Sequence, residues 1–334
     1  MLLMFVLSLL ATDLSPETAP RLKVAWTADT HATPPNARAA KIAAFEATPV
    51  FSDGQLFIIT PFNQVIAMDP ATGAERWRFD PKVADREYAE ASARGVTVSR
   101  GVVYFGTLDA RLIAISAKDG RLLWQASLTK EPNFGGYQVT SPPVIAGTTV
   151  IVGSSIGDNG RTDLPRGTVR AFDAKTGKPT WTWDPTPPGP TGAANAWAPM
   201  AVDEARGLVF IPTGSASPDF FGGMRPGDNR YANSVVALRT SDGKFVWSFQ
   251  VVHHDLWDYD VASRPELIDV QGKPAIGVLT KIGHYFALDR LTGKPLLPVE
   301  ERPFPKSDVE GETASPTQPV PASGVFTEQR FVPR

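Results

Sequence analysis

The sequence predicts an all-β protein folded as a β-propeller, and one repeated phrase carries this prediction. The phrase places a small apolar residue before a turn rich in Asp, Thr or Ser, then a glycine, and in four of five copies a tryptophan. Consecutive copies lie 47, 57, 66 and 50 residues apart. This spacing is too long for a helix pair and fits four-stranded blades with loops of variable length. The turn glycines are Gly73, Gly120, Gly177, Gly243 and Gly293.

Each copy repeats the same order of elements, so about five blades are expected. In the first copy an apolar strand at 55–60 is followed by a second strand at 64–67, the turn at Gly73 and a strand ending at Trp77. Glycine can take the positive φ that a tight hairpin needs. The flat indole is expected to pack between neighbouring blades. Repeated hairpins could also build a β-sandwich, but five copies with one motif in one place favour the propeller.

Outside the repeats the chain divides into an N-terminal and a C-terminal segment. Residues 1–20 are an apolar leader or a truncated start, 21–302 hold the blades, and 303–334 form a Pro-rich polar tail where further blades would begin. The apolar run at 1–11 is too short to cross a bilayer. It resembles the hydrophobic part of a secretory signal but lacks a basic start, so an export signal and a start codon inside a longer gene both stay open. Helical signals are confined to 37–45 and 83–93.

Composition excludes some classes of function. The net charge is −2 and the pI about 6.1, so no basic face for nucleic acid is expected. The chain has no cysteine, which excludes a disulfide framework and a thiolate metal site and says nothing about the compartment.

The loops between blades carry the polar residues that suggest chemistry. They lie at 153–159, 195–200, 212–231, 253–260 and 280–283. Equivalent loops of a propeller meet at one end of its channel, so these residues are expected to surround one ligand. Oxygen-bearing side chains suit a hard cation such as Ca²⁺. A carboxylate beside a cation can act as a base towards an alcohol, and a lysine can stabilise developing negative charge.

Spacing alone does not assign these roles. Trp197 could be packing between blades, Asp258 could cap a turn beside Asp255 and Asp260, and Lys281 could be an exposed charge. The pattern therefore predicts a polar-lined propeller mouth and no named reaction.

At the same loops the sequence resembles the pyrroloquinoline-quinone (PQQ) dehydrogenases, most closely the membrane-type quinoprotein glucose dehydrogenases and their soluble relatives. The likeness extends from about residue 21 to about residue 318. That family has eight blades, so the resemblance implies an eight-bladed type of propeller of which about five blades, an incomplete ring, are present here. The matching stretches are Trp197-Ala-Pro-Met200, Gly207-Leu-Val-Phe-Ile-Pro-Thr-Gly214, Arg225-Pro-Gly-Asp-Asn-Arg-Tyr231, Val252-His-His-Asp-Leu-Trp-Asp258, Thr280-Lys281 and Leu288-Asp289-Arg290.

The resemblance implies roles for four residues at the centre of the site. Asp258 matches the catalytic base, which also lies against the metal ion. Lys281 matches the cation that binds the quinone oxygens. Trp197 matches the floor on which the PQQ ring stacks, and Arg94 matches an arginine that contacts the cofactor.

Five further residues match the periphery of the family's site. Thr140 and Ser155 match hydroxyl contacts to the PQQ carboxylates. Asp158 and Asn159 match the region that supplies a metal ligand, for Ca²⁺ or Mg²⁺. Asp219 is a substitute for an asparagine ligand of the alcohol-oxidising branch.

The implied reaction is oxidation of a sugar or polyol hydroxyl. Asp258 takes the hydroxyl proton while hydride passes to the quinone carbon, the ion polarises the quinone carbonyl, and Lys281 stabilises the charge. The resemblance also implies ubiquinone or a cytochrome as electron acceptor, a periplasmic location with membrane association left open, and a complementing C-terminal propeller segment as partner.

The sequence departs from the family pattern at two informative points. The absence of cysteine disfavours the alcohol-oxidising branch, where a vicinal disulfide caps the cofactor. Glu90 stands where the glucose branch has a histidine on the ring. Two alternatives stay open: a non-catalytic propeller scaffold, such as the outer-membrane assembly lipoprotein type, and an inactive fragment of such a dehydrogenase. A scaffold has no need of Asp258, Lys281 and Trp197 together.

Overall fold

The computed structural model describes residues 2–5, 15–130, 136–186 and 192–322, with only the backbone described at 2–5. Within these residues the regular structure is almost entirely β-strand, which confirms the predicted all-β class. No helix in this part of the chain is both long and apolar enough to cross a membrane. The rest of the apolar leader lies outside the described residues.

The two candidate helices have different outcomes. The first contains a short helix, α1 (Ala37–Lys41), which begins where the Asn36 side chain accepts the Ala39 N–H at 2.8 Å. The second, at 83–93, is wrong, since the chain there is irregular, with bends and an isolated bridge at Ala91.

A hydrogen bond from outside the segment explains the missing helix. The Gln138 side-chain oxygen accepts the N–H groups of Ala89 and Glu90 at 2.8 and 3.3 Å. Those donors are therefore not available to carbonyls within the segment, and a tertiary contact overrides the local preference.

Two N-terminal strands precede the blades, and four four-stranded antiparallel sheets follow them along the chain. The N-terminal pair is β1 (Leu2–Phe5) and β2 (Trp26–Asp29). Blade 1 contains β3 (Val50–Ser52), β4 (Gln55–Ile59), β5 (Val65–Met68) and β6 (Glu75–Phe79). Blade 2 contains β7 (Thr97–Ser99), β8 (Val102–Gly106), β9 (Arg111–Ser116) and β10 (Leu122–Ser127). Blade 3 contains β11 (Val144–Ala146), β12 (Thr149–Val152), β13 (Val169–Asp173) and β14 (Pro179–Trp183). Blade 4 contains β15 (Ala201–Asp203), β16 (Leu208–Pro212), β17 (Ser234–Arg239) and β18 (Phe245–Gln250).

The fifth sheet has three strands among the described residues, in keeping with its worn repeat, in which Leu297 stands where the others have tryptophan. A separate two-stranded sheet follows it, so the boundary expected between 302 and 303 falls inside a strand. Blade 5 contains β19 (Glu266–Val270), β20 (Lys273–Leu279) and β21 (Tyr285–Asp289). The last pair is β22 (Val299–Pro303) and β23 (Thr317–Pro321).

The blades follow one another around an arc. Their first strands, β3, β7, β11, β15 and β19, contact each other in series, and the described residues do not close the ring. Four clusters of buried apolar residues fill the spaces between successive blades. The core is thus divided into inter-blade layers, as the predicted propeller requires.

Each turn glycine packs against a tryptophan of the preceding blade or, in blade 1, of β2. These contacts confirm the predicted packing of indoles between blades. An ideal Cβ placed on Gly177, whose φ is +69°, would stand 2.6 Å from Trp124 Cε3. The Trp124 indole N–H donates to the Ala174 carbonyl of the next blade at 3.0 Å. Only glycine allows both the left-handed turn and this approach. The same contact joins Trp26 to Gly73, Trp77 to Gly120, Trp181 to Gly243 and Trp247 to Gly293.

The antiparallel order of the strands decides where the polar loops meet. In every blade the connection between the second and third strands emerges at the same end as the connection from the fourth strand to the next blade. All the polar loops singled out in the sequence are connections of these two kinds. The fold therefore gathers them at one end of the arc.

Candidate functional site

A lysine from blade 5 lies against two aspartates of the connection between blades 4 and 5. The Lys281 ammonium is 3.0 Å from Asp258 Oδ2 and 2.8 Å from Asp260 Oδ2, and it donates to the Asp258 carbonyl at 2.9 Å. Asp260 Oδ2 also accepts the Trp197 indole N–H at 3.1 Å. The Lys281 nitrogen lies 5.7 Å from the centroid of the Trp197 ring. The structure thus brings together Asp258, Lys281 and Trp197, the residues to which the resemblance assigns the roles of base, cation and ring platform.

A buried network holds the segment that carries these aspartates. The Asp255 carboxylate accepts the Ser215 hydroxyl at 2.7 Å, the Asn233 amide at 2.9 Å and the Tyr259 N–H at 2.7 Å. The Ser215 N–H donates to Asp260 Oδ1 at 2.6 Å. Asp258 lies in this turn with a φ of +60°, a conformation unusual for a residue with a side chain.

Arg94 covers the indole from the blade 1 side. Its guanidinium carbon is 4.6 Å from the centroid of the Trp197 ring, within the range of a cation–π contact. Arg94 Nη1 donates to the Thr140 hydroxyl at 2.5 Å, and Nη2 lies 3.0 Å from Glu46 and 3.4 Å from Glu90. The Thr140 hydroxyl therefore positions the arginine.

The remaining predicted residues converge on the same space from blades 3 and 4. The Asn159 amide donates to Asp219 Oδ2 at 2.7 Å, and the Ser155 hydroxyl donates to Glu90 Oε1 at 2.8 Å. They surround a cavity of about 220 Å³. Seven of the nine predicted site residues line it: Arg94, Ser155, Asp158, Asn159, Trp197, Asp219 and Asp258. The other two, Lys281 and Thr140, reach it through Asp258 and Arg94.

Crowded carboxylates change the acid–base behaviour of the cavity. Burial, with the nearby charges of Asp260 and Asp219, raises the pKa of Asp158 to about 8. Burial and Asp260 raise the pKa of Asp258 to about 7, although Lys281 acts in the opposite direction. Burial also raises the pKa of Asp219. Burial favours the neutral amine of Lys281, but the two aspartates outweigh it and raise its pKa.

The donor set around Asp158 suits a hard cation by its chemistry. Asp158, Asn159, Asp219 and Asp258 offer only oxygen among their ligating atoms, the choice of Ca²⁺ and Mg²⁺. Within the described ranges no group of three or more His, Cys, Asp or Glu side chains is arranged to hold a metal ion. Burial first, and then repulsion between neighbouring carboxylates, raises the pKa values of Asp158, Asp219 and Asp258, and a bound cation would favour their ionised forms.

Sequence reasoning did not assign Asp260 to the site. Asp260 is 4% exposed and joins Lys281, Trp197 and Ser215. The available signal was its position two residues after Asp258, within the same polar loop at 253–260. The contact between Ser155 and Glu90 left no signal, because blade geometry brings together residues 65 positions apart.

Comparisons with known proteins show what the chain is similar to. The family model described as "PQQ: Glucose/ethanol/alcohol dehydrogenase, beta-propeller domain" matches residues 10–333. The chain is 37% identical to quinoprotein glucose dehydrogenase A of Acinetobacter calcoaceticus over 89% of its own length and 44% of that protein. It is also 37% identical to the glycerol dehydrogenase large subunit of Gluconobacter oxydans, over 92% of this chain and 47% of that one.

A solved structure shares the fold. The quinohemoprotein alcohol dehydrogenase from Comamonas testosteroni superposes with a TM-score of 0.70 and 27% identity, over 84% of this chain and 46% of that chain. In all three comparisons the chain spans less than half the length of the relative.

Proposed function

Because the chain belongs to the PQQ-dependent glucose, ethanol and alcohol dehydrogenase β-propeller family, we propose that it forms the cofactor-binding part of a quinoprotein that oxidises a sugar or polyol hydroxyl. The observation that carries the proposal is the convergence of Asp258, Lys281 and Trp197 at one cavity. A non-catalytic scaffold would gain nothing from burying carboxylates that repel one another, since unpaired buried charge costs stability.

The residues present fit a flat, polyanionic ring. The Trp197 indole offers a planar face, and two cations, Arg94 and Lys281, lie within 6 Å of its centroid. The Thr140 hydroxyl accepts from Arg94 and would donate its own proton to a carboxylate of the ring, and the Ser155 hydroxyl would do the same on turning away from Glu90. When bound, PQQ would supply a quinone that accepts a hydride, and with it two electrons, from the substrate carbon.

Asp258 is the base in this proposal. Its carboxylate would accept the proton of the substrate hydroxyl, which requires the ionised form. The Lys281 hydrogen bond favours ionisation, whereas burial and Asp260 oppose it, so the pKa of about 7 lies near neutrality. Lys281, held between Asp258 and Asp260, keeps its positive charge and would stabilise negative charge that develops beside it.

A divalent cation, Ca²⁺ or Mg²⁺, is part of the same proposal. Asp158, Asn159, Asp219 and Asp258 are the residues that would hold it. Its charge would favour the ionised form of Asp258 and lower the pKa of the base.

The partners are proposed from the resemblance and from the length of the chain. Electrons would leave to ubiquinone or a cytochrome, in the periplasm. Since the chain spans less than half of each compared relative, further propeller blades are proposed as a complementing C-terminal segment.

A titration tests the proposal. Purified protein with Ca²⁺ is titrated with PQQ while tryptophan fluorescence is followed, and reduction of a dye is then measured with sugars and polyols. We expect quenching at micromolar PQQ, and substrate-dependent dye reduction that Asp258→Asn abolishes while quenching persists. Protein that is folded but shows neither signal would support the scaffold or the inactive fragment instead.

A further inference from the structure

Arg225 is a buried arginine in the connection between β16 and β17, and its side chain is 1% exposed. Its Nε donates to the Pro218 carbonyl at 2.8 Å, and its Nη1 donates to Asn229 Oδ1 at 2.5 Å. Its Nη2 donates to the carbonyls of Asp219, at 3.1 Å, and of Asp255. The acceptors of these four hydrogen bonds are neutral oxygens. The guanidinium is therefore bound by backbone and amide dipoles that come from three different parts of the chain.

These bonds join two connections, each of which carries a proposed ligand of the cation. Asp219 lies in the connection between β16 and β17, Asp258 lies in the connection from blade 4 to blade 5, and both line the cavity. The Asp255 carboxylate accepts the two N–H groups that flank Asp258 in its turn, at 3.1 and 2.7 Å. Because one nitrogen of Arg225 binds the Asp219 and Asp255 carbonyls together, it fixes Asp219 against the turn that carries Asp258.

Other contacts hold the two ends of the connection between β16 and β17. The Asp255 carboxylate accepts the Ser215 hydroxyl near the first end and the Asn233 amide near the second, at 2.7 and 2.9 Å. Arg225 reaches the middle of the connection, where Asp219 lies. Removing the fork of Arg225 would thus leave both ends attached to the turn, but the middle would lose this direct link to it.

We propose that Arg225 is a positioning residue that holds Asp219 beside the turn of Asp258, so that one divalent cation can bind both carboxylates. The inference rests on the proposed function, of which the cation is a part. A buried guanidinium costs free energy that an apolar side chain would not. Its planar fork can bind several carbonyls in fixed directions at once, which the flexible ammonium of lysine does not reproduce.

A second buried arginine supplies a matched control at the opposite end of the blades. Arg290 is 9% exposed and follows β21, the third strand of blade 5. Its Nη1 donates to Asp203 Oδ2 at 3.0 Å, and its Nε donates to the Ala275 carbonyl at 3.1 Å. Arg290 therefore joins blade 4 to blade 5 as a buried fork, without contact to either proposed ligand. If Arg225 had only a structural role, replacing either arginine would have the same consequences.

The experiment measures Ca²⁺ affinity by titration calorimetry in the wild type, Arg225→Lys and Arg290→Lys. Each protein is first shown to be folded by circular dichroism, and Ca²⁺ is titrated both without PQQ and with saturating PQQ. Lysine keeps the positive charge and removes the fork. We expect Arg225→Lys to weaken Ca²⁺ binding about tenfold or more. Both variants should unfold at lower denaturant concentration, but Arg290→Lys should keep the wild-type Ca²⁺ affinity.

Asn229→Gly serves as a milder variant if Arg225→Lys does not fold. It removes the side chain that binds Arg225 Nη1, leaves the arginine in place and suits the φ of +49° at this position. We expect a smaller loss of Ca²⁺ affinity in the same direction, because the guanidinium keeps its bonds to the carbonyls.

The outcomes separate this inference from the function on which it rests. Wild-type Ca²⁺ affinity in folded Arg225→Lys, or in Asn229→Gly where Arg225→Lys does not fold, would overturn the role of Arg225 alone. An equal loss of affinity in Arg290→Lys would do the same. Absence of Ca²⁺ binding by folded wild-type protein, both with and without PQQ, would overturn the cation site of the proposed function, and the inference with it.

Discussion

Lys281 donates a 2.8 Å hydrogen bond to Asp260, a buried aspartate that the sequence motifs did not assign to the site. The same carboxylate oxygen accepts the indole N–H of Trp197. Asp260 Oδ2 therefore sets the distance between the Lys281 ammonium and the Trp197 indole. A planar anionic ligand would need both of these groups. Asp260 is better described as the residue that positions the site than as part of a turn.

Replacing this carboxylate tests its role. In Asp260→Asn the half-buried Lys281 loses the charge of Asp260, and an amide N–H can be directed at a donor. We expect the free energy of unfolding to fall by about 2–3 kcal/mol and PQQ affinity to fall about tenfold or more. Chemical denaturation and the fluorescence titration measure the two effects.

The control for Asp260→Asn is Asp269→Asn, the same change at an exposed position of β19. It should alter neither quantity. Equal PQQ affinity in Asp260→Asn and the wild type would show that Lys281 and Trp197 do not depend on this oxygen for their placement.

The carboxylate cluster predicts how stability depends on pH without metal. The folded pKa values of Asp158, about 8, and Asp258, about 7, lie above the ordinary value of 3.8, so the fold favours their protonated forms. This contribution is complete below pH 3.8 and is lost as the pH rises through about 7 and 8. The melting temperature of metal-free protein should accordingly fall between pH 5 and pH 9, a range of about four units around these values.

A divalent cation should reverse that trend. Ca²⁺ binds the ionised carboxylates, so the rise in melting temperature on adding Ca²⁺ should grow with pH. Asp158→Asn removes the group with the higher pKa, and it should flatten the metal-free profile and weaken the response to Ca²⁺. A Ca²⁺ effect that is equal at both ends of the pH range would contradict the assignment.

Asp255 should stabilise the turn that carries Asp258 and take no direct part in the reaction. Its buried carboxylate accepts two side-chain donors and the N–H groups of Trp257 and Tyr259, at 3.1 and 2.7 Å. In Asp255→Asn an amide N–H replaces one acceptor among these donors, which should cost about 2–4 kcal/mol of unfolding free energy. We also expect kcat to fall, because the turn places Asp258. Asp269→Asn, the same change at the exposed position of β19, should change neither stability nor kcat appreciably.

The sequence predicted the blades because their signal is local. Hairpin geometry requires the glycine of the turn, and contact with the adjacent blade requires the tryptophan about four residues later. Both residues recur once in each of four copies of the repeat. The convergence of Asp258, Lys281 and Trp197 could be anticipated for a related reason. All three lie in connections that emerge at one end of the propeller, either between the second and third strands of a blade or between one blade and the next.

The contacts that could not be predicted from the sequence are those between side chains of different blades. Gln138 takes two backbone amides of the segment at 83–93 and prevents the expected helix, from 48 and 49 positions away. Glu90 and Ser155 meet across 65 positions. No periodicity within a segment reports such a contact, because it is fixed by how one blade is rotated against the next.

The contacts between tryptophan and glycine can be tested with two glycines of similar conformation. Gly177 and Gly147 have φ values of +69° and +59°, but an added Cβ would meet Trp124 at 2.6 Å in the first case and nothing within 4 Å in the second. Gly147→Ala should cost only the strain of the left-handed conformation, about 1–2 kcal/mol. Gly177→Ala should cost about 1–3 kcal/mol more, because the methyl group displaces an indole from the inter-blade core. Chemical denaturation of the two variants measures the difference, and equal losses would mean that the indole does not need this close approach.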